Sequence, residues 1–137
     1  CDKHVVKMVL ETAQMLSTAA RRHEKDLGYK SSYPNHPMTL WVGNNLHNYV
    51  WAVEHGKALA KEYTLRFGKI HKSELVINEL DVFWGDSTQM TTPPLCMPDE
   101  FKQDDFVKAY KEYYKAKLLS WKIPPRWRLS EPDGIAA

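Results

Sequence analysis

An apolar stripe of helical period in the middle of the chain constrains the fold most strongly. Leu46, Tyr49, Val50, Val53, Ala60, Tyr63 and Phe67 recur at the spacing that lines one face of an α-helix. Gly43, Asn44 and Asn45 break the chain just before it, with an Asn placed to cap the first turn. Gly68 stands where such a helix stops. The pattern predicts a helix over residues 46–67, whose apolar face must be buried against other elements.

A second stripe of the same period precedes it. Val5, Val9, Leu16 and Ala20, with Thr12 and Ala13 between them, predict a helix from Asp2 to about Asp26, closed by Gly28. Ser31, Ser32, Pro34, Asn35 and Pro37 mark a loop, and Thr39 to Val42 a short helical turn. Ser73 can cap a third helix with Leu75, Val76, Leu80 and Phe83 facing in and Gly85 closing it. Residues 86–103 form a long loop with Pro93, Pro94 and Pro98. Asp104 or Asp105 caps a last helix to about Trp121, because Pro124 and Pro125 forbid its continuation. No convincing strand pair is present. The expectation is an all-α fold: one compact domain of about four helices over residues 1–129, with a long proline-containing loop and a flexible C-terminal extension over 130–137. At 137 residues one core is the default, and 43% apolar with 26% charged residues excludes a disordered chain.

Net charge is only +2, but its distribution is uneven. Lys108, Lys111, Lys115, Lys117, Lys122, Arg126 and Arg128 crowd the last helix and the segment after it, with Glu112 as the one acid among them. Tyr110, Tyr113, Tyr114, Trp121 and Trp127 are interleaved with these cations. Lysines attract phosphates and aromatic faces stack on exposed bases, so the pattern points to nucleic acid. A plain reading of the helix makes Tyr110, Tyr114 and Trp121 core and the lysines solvated. Trp127 in Arg126-Trp127-Arg128 follows two prolines and is harder to assign to a core. No apolar run is long enough for a membrane span, and no signal-peptide pattern opens the chain. Cys1 and Cys96 fit no metal or redox motif, which favours a reducing cytoplasm. The chain opens on Cys1 rather than Met, so it is expected to be processed or preceded by a further segment.

The first helix carries a polar stripe opposite its apolar one. His4, Lys7, Glu11, Gln14 and Thr18 share a face. An ordinary solvated face has the same period, but here an acid–base group, a cation and a carboxylate fall within two turns. Such a set can hold a carboxylate ionised beside a cationic reacting group. Six histidines raise a metal reading, yet His36, His47, His55 and His71 lack a tight ligand spacing, and His47 and Glu54 are a heptad apart. No metal or cofactor is expected. Cys96 has no adjacent base to activate it.

The strings Cys1-Asp2-Lys3-His4-Val5-Val6-Lys7-Met8, His36-Pro37, Glu62-Tyr63-Thr64, Met97-Pro98-Asp99-Glu100 and Ala109-Tyr110-Lys111-Glu112-Tyr113-Tyr114 resemble a group of small phage and viral proteins. More distantly, the chain resembles the phage pyrimidine-dimer DNA glycosylases, the small helical endonuclease V type. His4 through Glu11 resembles that family's first helix, which carries a His and, seven residues later, its catalytic Glu. Leu40 to Arg66 resembles its central helix, and Tyr110 to Lys115 its aromatic-basic C-terminal motif, which lies near DNA. The resemblance implies an all-helical fold, binding to double-stranded DNA, excision of a base and cleavage at the abasic site. It implies Glu11 as the catalytic carboxylate, His4 as its substrate-positioning neighbour, and an N-terminal amine as the nucleophile. That family sets arginines beside its Glu, where Leu10 and Gln14 stand here. Lys3, Lys7, Arg21 or Arg22 would supply that charge.

The reading that follows is a DNA glycosylase with abasic-site lyase activity on damaged or modified pyrimidines, in a bacterial or infected-cell cytoplasm. Glu11 and His4 are its catalytic pair. Lys3, Lys7, Arg21, Arg22, Lys111, Tyr113, Tyr114, Lys115, Arg126, Trp127 and Arg128 contact DNA. A non-enzymatic helical module that binds nucleic acid or a protein through the same C-terminal surface is the alternative. A metal-dependent hydrolase would need at least three His, Asp or Glu side chains to converge. An enzyme needs Glu11 in a concave site, whereas a binding module leaves it an ordinary surface residue.

Overall fold

The computed structural model describes residues 1–82, 84, 90–122 and 125–128. It is all-helical, with α1 (Asp2–Arg22), α2 (Pro37–Asn44), α3 (Leu46–Phe67), α4 (Lys72–Glu79) and α5 (Phe106–Leu119), and a 3-10 turn at Asp99–Phe101. The expected extension over 130–137 lies outside the described residues, as do Phe83, Gly85 and Pro124. No helix among the described residues is long and apolar enough to cross a membrane.

The long helices α1 and α3 pack on each other, and α2 and α4 each bridge the two. Val5, Val9, Ala13 and Leu16 of α1 meet Tyr49, Ala52, Val53 and Ala60 of α3 in the core, with Trp41, Val42, Ile77 and Leu80 closing its sides. The helices approach closely at Gly56, where a Cβ would stand 3.0 Å from Thr12 Cγ2 and 3.1 Å from Ile77 Cδ1. Glycine there lets three helices converge. Asn45 caps α3 as expected, its side chain accepting from the His47 N–H at 2.7 Å, and Gly68 ends α3 in the left-handed region.

Several boundaries differ from expectation for local reasons. Helix α1 ends at Arg22 because Glu24 adopts φ 62°, and the Lys25 N–H returns to Ala20 O while the Glu24 N–H returns to Arg21 O. That is a Schellman closure with glutamate in glycine's usual place. Gly28 instead serves a close approach: at φ 72°, a Cβ would strike the Ser17 hydroxyl. The expected turn at 39–42 is the two-turn helix α2, started by Pro37 and capped by His36 Nδ1, which accepts from the Met38 N–H. Gly43 lies buried inside α2 against Ala19 and Arg22 and breaks nothing. In α4 the cap is His71 rather than Ser73, which is buried with its hydroxyl 3.0 Å from Tyr29 Oη. Leu75 is 71% exposed, and Ile77 takes the inward position.

Helix α5 ends at Leu119, with Asp105 as its cap. Among the described helical elements its backbone comes close to the 3-10 turn alone. Tyr110 anchors the proline loop by donating to Pro94 O at 2.6 Å and accepting from the Cys96 N–H at 3.1 Å. Asn48, fully buried on α3, holds the far end of that loop by exchanging hydrogen bonds with Thr91 at 2.9 Å.

Val53 is 1% exposed at the α1–α3 seam. Val53→Asp buries an unpaired carboxylate, and a destabilisation of about 4 kcal/mol or more is expected. Urea unfolding followed by circular dichroism measures it, with Leu75→Asp, on the exposed side of α4, changing the midpoint little.

Candidate active site

The fold turns the polar stripe of α1 outward and then partly covers it. Thr12 and its apolar neighbours face α3, which leaves Glu11, Gln14 and Thr18 toward the 29–36 loop. Thr18 Oγ1 clasps that loop, accepting from the Ser32 N–H at 2.9 Å and lying 3.2 Å from Ser32 O. Between loop and helix opens a cleft of about 320 Å³, lined by Glu11, Gln14, Met15, Ser32, Tyr33, His36 and Thr39. Its size is at the lower end for small-ligand sites, about 300–1,000 Å³. Glu11 is the one carboxylate among those lining residues. Its side chain is 41% exposed, with Lys7 Nζ at 3.4 Å from Oε1. The pair is open enough to water that it contributes little stability. Glu11 is therefore reachable from the cleft.

A separate depression toward the end of α1 is lined by Thr18, Arg21, Arg22, Ser31, Asn35 and Leu40. The two arginines are committed to structure. Arg21 donates from Nε to Tyr29 O at 2.8 Å and pairs with Asp26, fixing the turn after α1. Arg22 donates to Asn44 Oδ1 at 2.9 Å and to Leu40 O at 3.4 Å, closing the end of α2.

His4 lies seven residues before Glu11 on the same face, about 10 Å away by helical rise. It does not line the cleft. Its ring packs on Tyr114 at 5.0 Å and, edge-on, on Trp121 at 5.1 Å, which docks α5 against the start of α1. Lys3 sits over Trp121 at 5.4 Å. Burial, and then the positive charges of Lys117, Lys7 and Lys3, lower the His4 pKa from 6.5 to about 4. The ring is therefore neutral at pH 7.

A second contact holds the C-terminal segment. Asp2 Oδ1 accepts from Arg66 Nη1 at 3.2 Å and from the Arg128 N–H at 3.0 Å, while the Asp2 N–H donates to Arg126 O at 2.9 Å. Arg66, its side chain 6% exposed, lies over Trp127, and Arg128 lies over Phe67 at 4.4 Å. Trp127 and Arg128 thus fasten the segment to α1 and α3. The Arg126 side chain is exposed. On α5, Lys111 is exposed and Lys115 half-buried, Tyr113 packs on Phe101 at 5.4 Å, and Tyr114 Oη accepts from the Cys1 nitrogen at 2.7 Å. No group of three or more His, Cys, Asp or Glu side chains placed to hold a metal occurs among the described residues.

A family model of pyrimidine dimer DNA glycosylases matches residues 1–75. That span covers more than half of the 137 residues and contains α1, α2, α3 and the whole cleft. The chain belongs to the pyrimidine dimer DNA glycosylase family. No curated protein and no solved structure matches it. Membership sets the activity at the level of a pyrimidine-dimer-type DNA glycosylase, with DNA as substrate. In this glycosylase the match includes Glu11 and His4 but not α5 or the 125–128 segment. The sequence pattern singled out Glu11, His4 and the arginines, but not Tyr33, His36 or Thr39 as site residues. Those three came from a stretch read as loop and turn, where the one available signal was an aromatic among prolines, serines and asparagine.

Two measurements test this geometry. The folded His4 pKa lies below its unfolded value, so its share of stability is present above pH 6.5 and is lost as pH falls through 4. An NMR titration should place the ring midpoint near 4, and His4→Asn should flatten the fall in unfolding free energy across that window. Asp2→Ala leaves Arg66 without one of its buried partners, costs about 3 kcal/mol, and should raise amide exchange at 126–128.

Proposed function

We propose that the protein removes a damaged pyrimidine from double-stranded DNA and then cleaves the strand at the abasic site, with Glu11 as the catalytic carboxylate. The observation that carries this reading is the position of Glu11. It is the acid of an open cleft, on a helix face whose other end adjoins the lysine-rich α5. Loss of the base leaves positive charge at the sugar C1′, and an ionised carboxylate beside it stabilises that charge. Lys7 Nζ stands 3.4 Å from Glu11 Oε1, and Glu11 still lines the cleft. His4, neutral and wedged against Tyr114 and Trp121, holds α5 and its cations beside the site, and so positions substrate indirectly.

The lyase step needs a neutral amine that attacks C1′ and forms an imine with loss of water. Proton removal from C2′ then expels the 3′ phosphate, and Glu11 is placed to assist that transfer. The Cys1 nitrogen stands about 15 Å from Glu11 along α1, too far to attack a sugar held there. Borohydride trapping followed by peptide mapping identifies the amine.

Grip on the duplex is assigned to Lys3, Lys7, Lys111, Lys115 and Arg126 through phosphates, with Tyr113, Tyr114, Trp127, Arg128, Arg21 and Arg22 shaping that surface. The same reading puts the enzyme where its DNA substrate is, in a bacterial or infected-cell cytoplasm.

Glu11→Gln should keep the fold and the affinity for DNA but lower base release from ultraviolet-irradiated duplex by at least about a hundredfold. A variant that nicks as fast as the parent removes Glu11 from the mechanism. Changing Lys111, Lys115 and Arg126 together to Ala should weaken binding and flatten the slope of log affinity against log salt by about three contacts. An unchanged slope would place DNA on another face.

A further inference from the structure

We propose that the outer face of α4 is a self-complementary interface, on which a second copy of this chain docks antiparallel about a two-fold axis at Leu75.

The two sides of α4 differ sharply. Ser73 and Ile77, with Leu80 just past the helix, are buried against the core. The opposite side carries Lys72, Leu75, Asn78 and Glu79, all exposed. His71 fixes the start of this helix on α1. Its Nδ1 accepts from the Ser73 N–H, so Nε2 carries the proton and donates to Val6 O at 3.0 Å. Leu10 lies one turn further along α1, and both Val6 and Leu10 are 39% exposed. Ile70, just before α4, is 66% exposed. Four exposed apolar side chains, Val6, Leu10, Ile70 and Leu75, thus gather along the α1–α4 edge. Single apolar residues scattered on a surface need no partner, but a gathered patch rimmed by polar groups marks a contact site.

The charges on α4 identify what docks there. Lys72 is the first residue of the helix and Glu79 the last. Both stand against the helix dipole, which favours acids at the N-terminus and bases at the C-terminus. Seven residues apart, they share a face but lie about 10 Å from each other along the axis, too far to pair. Neither makes an ion pair within the described residues. Leu75 stands midway between them. A two-fold axis through Leu75, perpendicular to the helix, sets Leu75 against Leu75 of the second copy. The same operation brings Lys72 beside Glu79 of the second copy, twice. This is the isologous arrangement of cyclic dimers, in which one patch meets itself. A parallel arrangement would set lysine on lysine and glutamate on glutamate. A nucleic acid would find no phosphate contact at Leu75 and would be repelled by Glu79. Four side chains and two ion pairs bury less than the roughly 800 Å² per partner of a standard interface, so the dimer is weak, with a Kd on the order of tens of micromolar.

Sedimentation velocity on the full chain, without DNA, tests the interface from low-micromolar to near-millimolar concentration. The parent should shift from monomer to dimer across that range, and Leu75→Asp should stay monomeric throughout. Lys72→Glu and Glu79→Lys should each weaken association by about tenfold, because each reversal turns two attractions into two repulsions. Combining Lys72→Glu with Glu79→Lys should restore it to within about threefold of the parent. The combined variant also sets both charges with the helix dipole, so the helix itself is not put at risk. Circular dichroism confirms that each variant is folded. A parent that remains monomeric near millimolar concentration overturns the proposal. So does a dimer that survives Leu75→Asp, or a combined variant no stronger than the single reversals.

Discussion

The approach of α1 to α3 at Gly56 sets the orientation of everything else. With no side chain at Gly56, the backbone of α3 admits Thr12 from one side and Ile77 from the other. Even a Cβ there would need the Thr12 and Ile77 side chains to give by a few tenths of an ångström. Because Thr12 is inside, Glu11 must lie at the boundary and Gln14 and Thr18 must face the 29–36 loop. The face that carries Glu11 is therefore the geometric complement of a packing contact. The same contact explains why a polar threonine sits at the seam: its methyl group fills the space that Gly56 leaves.

A second layer of organisation is electrostatic. Asp2, in the first turn of α1, collects Arg66 from α3 and the backbone of Arg128 from the C-terminal segment. A carboxylate in a first helical turn also complements the helix dipole. One side chain thus joins the start of α1, the end of α3 and the chain beyond α5. Nearby, His4 is packed against two aromatic rings and surrounded by lysines, an environment that keeps it uncharged. The start of α1 and the segment after α5 meet here, and the cations that α5 displays are brought beside the first turns of α1.

Much of this was legible in the sequence where local rules decide. The α3 boundaries followed from Asn45 and Gly68, whose roles depend on backbone chemistry within one turn. The apolar stripes of α1 and α3 gave the core because period reports burial. Misreadings arose where a residue's role is tertiary. Gly28 and Gly43 looked like helix breakers, but they serve close approach to Ser17 and Arg22, which no local window contains. Glu24 closes α1 although glutamate carries no such signal. His36 and His71 cap helices through a ring nitrogen, a role usually expected of Ser, Thr, Asp or Asn. For the site, the stripe marked Glu11 and His4, but the separation of their roles depends on what covers each end of the helix. The loop brings a cleft to Glu11, and α5 brings aromatic rings to His4. Trp127 and Arg128, read from the sequence as a contact surface, fasten the segment to α1 and α3.

Helix α5 meets α1 through side chains and through the segment that follows it, while its backbone, among the described helical elements, comes close to the 3-10 turn alone. The lysines it displays are not wedged into the core that holds Glu11. Substitution on that face leaves the α1–α3 seam undisturbed, so grip on a polyanion and thermal stability form separable traits. Lineages can retune one by drift in the lysine pattern without passing through unfolded intermediates in the other.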